Sequence, residues 1–147
     1  MNFLAESSRR WPLWASLGVL ALTALIHIFA GTPMYLDGIA QAGLTGEVGG
    51  LAVALWHLTS TILVLLVVGL GWAIRASHQA GVPILVAVWT ICLAFFAIML
   101  GVDVSAGSVI SPLVQWTLFV PPLILLPLTR WSRPPSTGVD PAELHQR

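Results

Sequence analysis

Two histidines, His27 and His57, stand inside long apolar runs, where an ionisable side chain is costly and usually faces other helices or water. Each lies on a polar stripe. Ser16, Thr23 and His27 are spaced by seven and four residues, and Ser60 and Thr61 follow His57 by three and four. Such spacings place each set on one face of a helix. Two imidazoles from facing helices at one depth can supply both axial ligands of a b-type haem. With Asp103 they suit zinc or a similar divalent ion. With Met34 or Met99 they suit copper, because thioethers favour Cu(I). They could also relay a proton or sense pH. The bland alternative is that each histidine only hydrogen-bonds across a helix bundle.

The expected pocket therefore has His27 and His57 as cofactor ligands. Asp103, Met34 and Met99 are further metal-ligand candidates, and Thr23, Ser60, Thr61, Ser111 and Gln115 line it, with Ser108 nearby. The cofactor stays open between haem b and a transition metal. No HExxH and no run of three ligands at fixed spacing occurs, and Cys92 is the sole cysteine, which excludes an intrachain disulfide and any CxxC site. His78 and His145 fall in polar segments. No residue is assigned a catalytic role: the apolar runs contain no acid–base pair, the hydroxyls are isolated, and there is no phosphate loop.

The elements that must position these groups are four apolar stretches, about residues 13–30, 51–74, 82–101 and 109–128. A bilayer core of roughly 30 Å needs about 20 apolar residues of helix. The runs are continuous rather than alternating, so helices are expected and strands are not. The expected fold is an all-α membrane protein: a four-transmembrane-helix bundle over 1–128, with a flexible cytoplasmic tail over 129–147. The first run is too long for a signal-peptide core and is read as an uncleaved helix.

Charge gives the sidedness. Arg9 and Arg10 precede the first run, Arg75 separates the second and third, and Arg130, Arg133 and Arg147 follow the fourth. The other two connections carry Asp37, Glu47 and Asp103 and no basic residue. All six basic residues thus fall on one side, the positive-inside pattern with both termini cytoplasmic. Trp11, Trp14, Trp72 and Trp131 cluster at that side, where amphipathic rings are favoured. His27 and His57 then lie at similar depth in the outer half. The composition agrees: 57% of the 147 residues are hydrophobic and 8% charged, too few to clothe a soluble domain. Six basic residues at zero net charge also argue against nucleic-acid binding.

Punctuation adds detail. Ala87, Ala94 and Gly101, with Ala97 close to the same face, form a small-residue stripe expected to pack inside the bundle, or to serve a homo-oligomer. Pro121 and Pro122 remove the usual partners of the Thr117 and Leu118 carbonyls, so a kink is expected. Residues Tyr35 to Leu44 could form a short interfacial helix in a long Gly-rich connection. Trp56, Trp89 and Trp116 are expected to be packing elements, or walls for a flat cofactor. The paired cysteines of thiol-handling membrane proteins and the embedded glutamate of small multidrug transporters are missing.

These observations lead to a small multi-pass protein, expected in a bacterial inner membrane, with an outward-facing histidine pocket used for electron transfer, metal handling or sensing. Its rivals are an accessory or assembly subunit of a larger membrane complex, and a proton-linked transporter or channel working as an oligomer. The expected partners are the lipid bilayer and other membrane chains.

Overall fold

The computed structural model describes residues 3–105 and 114–129. Helix α1 (Phe3–Leu25) passes through one π-helical segment (Ile26–Gly31) directly into α2 (Thr32–Gln41). Helices α3 (Gly46–Arg75) and α4 (His78–Ser105) follow, then a 3₁₀ segment (Val114–Phe119) that leads into α5 (Val120–Leu128). Among the described residues there is no strand. Three helices are long and apolar enough to cross a membrane: Arg10–Gln41, Gly46–Arg75 and Gln79–Ser105. The apolar helix Trp116–Leu128 is shorter.

These elements form four antiparallel columns around one core. The column of α1 and α2 packs against α3 and α5, and α4 closes the ring against α3 and the 3₁₀ segment. Leu20, Leu63, Leu66, Leu70, Val88, Cys92, Phe119 and Leu126 fill the interior. The outer surface is strongly apolar, with Leu65, Val68, Ile98 and Ile124 exposed. Water would penalise such a surface heavily, whereas lipid does not. Trp11, Trp14 and Trp72 are exposed near the end that bears Arg10 and Arg75.

Four sequence expectations change. The first helix does not end near Ala30; it continues to Gln41, so the expected interfacial helix is an extension of the first column. The long connection shrinks to residues 42–45, where Gly43 and the following Gly46 both adopt a φ of 65°, a left-handed conformation that favours glycine. The small-residue stripe does not pack inside the bundle: Ala87, Ala94, Ala97 and Gly101 are all exposed, and a Cβ on Gly101 would meet nothing. Finally, the double proline does not bend a continuous α-helix. Pro121 and Pro122 stand in the first turn of α5, where missing N–H groups cost nothing, and the preceding turns are 3₁₀. Of the expected fourth run, residues 109–113 lie outside the described residues.

Candidate functional site

His27 lies in the π-helical segment and is buried, only 6% exposed. Its stripe neighbours Ser16 and Thr23 are buried too, so the whole polar face of α1 turns inward. The indole of Trp56, from α3, stacks on the imidazole with ring centroids 3.9 Å apart and an interplanar angle of 20°. Tyr35 stacks on the same indole at 4.3 Å and 13°. The indole enters a slot on the first column, with His27 one turn to one side and Tyr35 one turn to the other. Gly31 forms the floor of this slot: a Cβ there would come within 2.9 Å of the Trp56 ring. The indole Nε1–H donates to Thr32 Oγ1 at 3.0 Å, so Trp56 is held by stacking and by a hydrogen bond.

The backbone explains the alignment. Each four-residue step in an α-helix overshoots a full turn by about 40°, which would leave His27 and Tyr35 about 80° apart. A π turn is wider and offsets this overshoot. It therefore brings His27, Gly31 and Tyr35 closer to one line along the helix. Pro33, which follows, has no N–H to offer the Phe29 carbonyl, so the α ladder is already interrupted there.

The imidazole Nε2 is buried and has no hydrogen-bond partner among the described residues. His27 shares a cavity of about 30 Å³ with Thr23, Thr59, Phe95, Met99 and Phe119. That volume suits about one water or one ion. The hydroxyls of Thr23 and Thr59 donate to the carbonyls of Val19 and Leu55 at 2.8 and 2.9 Å. Their oxygen lone pairs are left as acceptors for whatever occupies the cavity.

The other sequence-derived residues distribute differently. His57 is exposed and lines a separate open groove with Thr32, Ser60, Thr61, Ile28 and Val64. The stripe of His57, Ser60 and Thr61 therefore shares one groove, but His27 and His57 do not line one cavity. The chain position explains this: Trp56 is aimed at His27, so its neighbour His57 is turned a step around α3. Ser60 and Thr61 donate back to the carbonyls of Trp56 and His57, each at 3.0 Å. Met34 is 76% exposed and lines none of these cavities, whereas Met99 reaches the His27 cavity. Gln115 belongs to the 3₁₀ segment, and Ser108 and Ser111 lie outside the described residues.

Asp103 is buried at 1% exposure inside the last turns of α4. Its Oδ2 accepts the indole N–H of Trp116 at 3.0 Å, and Oδ1 has no partner among the described residues. Trp116 also meets Phe96 edge-on, with centroids 5.8 Å apart. The third inner tryptophan, Trp89, donates to the Leu123 carbonyl at 3.1 Å. All three inner tryptophans thus spend their N–H on a partner, as a buried indole requires. No cluster of three or more His, Cys, Asp or Glu able to hold a metal occurs among the described residues.

Sequence reasoning missed Gly31, Thr32 and Tyr35 as parts of the site. The available signal was the four-residue spacing of His27, Gly31 and Tyr35, an aromatic ring and an imidazole flanking a glycine. No family model, curated protein or solved structure matches the chain.

Proposed function

We propose that this chain is a four-helix inner-membrane protein that handles a soft transition-metal ion at His27, on the outer side of the bilayer. In this reading residues 1–128 form the transmembrane domain, 129–147 the cytoplasmic tail, and both termini face the cytoplasm. The observation that carries it is the buried, unsatisfied Nε2 of His27, a residue that lines one cavity with Met99. Leaving a buried imidazole nitrogen unmet costs about 1–3 kcal/mol, so an occupant is favoured. Imidazole with thioether is a donor pair suited to Cu(I), which tolerates two or three ligands. A haem between His27 and His57 fits less well, because the two residues line different cavities and the His27 cavity has room for about one ion.

The test is a Cu(I) titration of the purified protein against a chromophoric chelator. One equivalent should bind. His27→Ala and Met99→Leu should each weaken binding at least about tenfold, a loss of about 1.4 kcal/mol or more. His57→Ala should leave it unchanged. Wild-type protein that binds no copper, or a loss in His57→Ala as large as that in His27→Ala, would overturn the reading.

A second reading concerns partners. The exposed stripe of Ala87, Ala94 and Gly101 favours close packing against another membrane helix, either a second copy or a subunit of a larger complex. Cross-linking in native membranes should then trap a defined oligomer that Ala94→Leu disperses. A wild-type chain found only as a monomer would count against it.

A further inference from the structure

At the opposite end of the bundle from His27, all four columns converge on a cavity of about 180 Å³. Arg10 comes from α1, Ala73 and Ile74 from α3, Ser77 from the α3–α4 turn, Leu85 from α4, and Thr129 follows α5. We propose that this cavity is a binding site for the phosphate headgroup of an anionic phospholipid. The inference is independent of the metal reading and uses none of its residues.

The cavity is amphipathic in the manner a phospholipid requires. Among the described residues Arg10 is the only charged one lining it, and no acid pairs with that guanidinium. A guanidinium presents a planar fork of donors that matches two phosphate oxygens at once. The Ser77 hydroxyl adds a donor on the other wall, while the Ser77 carbonyl is already engaged by the N–H groups of Ala80 and Gly81 at 3.1 and 2.8 Å. The Thr129 hydroxyl is committed to the Leu126 carbonyl at 2.5 Å, so it does not compete for the ligand. Leu13, Val82 and Leu85 supply apolar wall for the glycerol and first acyl carbons.

The depth is also right. Trp11, Trp14 and Trp72 are exposed near this end, at the level where indoles mark the boundary between headgroups and acyl chains. A basic pocket between helices at that level is a recognised setting for anionic headgroups. The other described cation of this end, Arg75, donates to the Gly71 carbonyl of its own helix at 3.1 Å and does not line the cavity. It therefore serves as an internal control for plain surface charge.

Native mass spectrometry of the full chain, released from nanodiscs containing equal phosphatidylglycerol and phosphatidylcholine, provides the test. Wild type should retain one phosphatidylglycerol at least about tenfold more often than phosphatidylcholine. Arg10→Gln should lose that preference, Arg10→Lys should keep part of it, and Arg75→Gln should keep it whole. Thermal unfolding in detergent should be similar in all four, which separates lost binding from lost folding. Adding millimolar inorganic phosphate should not displace the lipid; displacement would make the site one for free phosphate and overturn the lipid assignment. Equal retention of both lipids by wild type, or equal losses in Arg10→Gln and Arg75→Gln, would overturn the proposal altogether.

Discussion

At the scale of single residues, Gly31 is the position on which the His27 environment depends. Adding one methyl group there would press against Trp56 at 2.9 Å, and the indole has Tyr35 and His27 on its two faces and Thr32 at its nitrogen. The ring cannot move without giving up one of these contacts. Gly31→Ala should therefore destabilise the protein by about 1–3 kcal/mol, the range for overpacking a well-filled site. The equally helical Gly18 has open space around its would-be Cβ and should tolerate alanine. Comparing the thermal midpoints of the two variants in detergent checks this. A second residue-scale expectation concerns Asp103. Trp116→Phe removes the one hydrogen bond that the described residues donate to the buried Asp103 and should cost about 1–3 kcal/mol. Trp11→Phe, at an exposed ring, should cost little; equal effects would mean that Asp103 is paired by other means. The sequence made His27 legible because an ionisable group in apolar surroundings stands out by type alone, whereas it placed Asp103 in a connection and gave no sign of its burial within α4. It did not reveal that Trp56 would choose His27, because which neighbour faces inward on α3 is set by packing between columns.

At the scale of elements, the prolines show how local breaks are absorbed by distant partners. Pro127 in α5 has no N–H, so the Leu123 carbonyl four residues back loses its usual donor. Trp89 of α4 supplies the replacement, at 3.1 Å. In a helix without water around it, this indole completes the backbone pairing that proline removed. Trp89→Phe should thus destabilise by about 1–2 kcal/mol beyond its loss of packing area. In the background of Pro127→Ala, whose N–H can reach Leu123, the same change should cost measurably less. Unfolding in a graded denaturing detergent across the four chains of this double-mutant cycle would show the coupling, and strictly additive effects would refute it. The sequence carried half of this logic. It exposed the rule at Thr117 and Leu118, four residues before Pro121 and Pro122, but did not apply it to Leu123 before Pro127. The rescuing donor comes from 34 residues away and becomes visible only once α4 and α5 are packed. The π turn at Ile26–Gly31 was hidden for a related reason: apolar periodicity barely distinguishes one wide turn from an ordinary one, and here its role is to align three side chains.

At the scale of the whole molecule, helix dimensions bear on how many columns cross the bilayer. The three long helices have ample reach, with 32, 30 and 27 residues. The described apolar helix of the last column, Trp116–Leu128, rises only about 20 Å at 1.5 Å per residue, against a hydrocarbon core of about 30 Å. A fourth crossing therefore needs residues 109–115 to complete it, and those residues include Val109, Ile110 and Leu113, which are apolar enough to do so. Arginine placement bears on the same point. An even number of crossings puts Arg10, Arg75 and Arg130 on one side, which minimises the cost of moving basic residues across the membrane, whereas three crossings would export Arg130, Arg133 and Arg147. Single cysteines introduced into a Cys92→Ala background decide between them. With four crossings, Ala42→Cys should react with an impermeant maleimide added to intact cells, while Ser77→Cys and Ser136→Cys should react only after the membrane is opened. Reaction of Ser136→Cys in intact cells would mean an odd number of crossings. That outcome would also contradict the packing, which sets Thr129, seven residues before Ser136, in one cavity with Arg10 and Ser77.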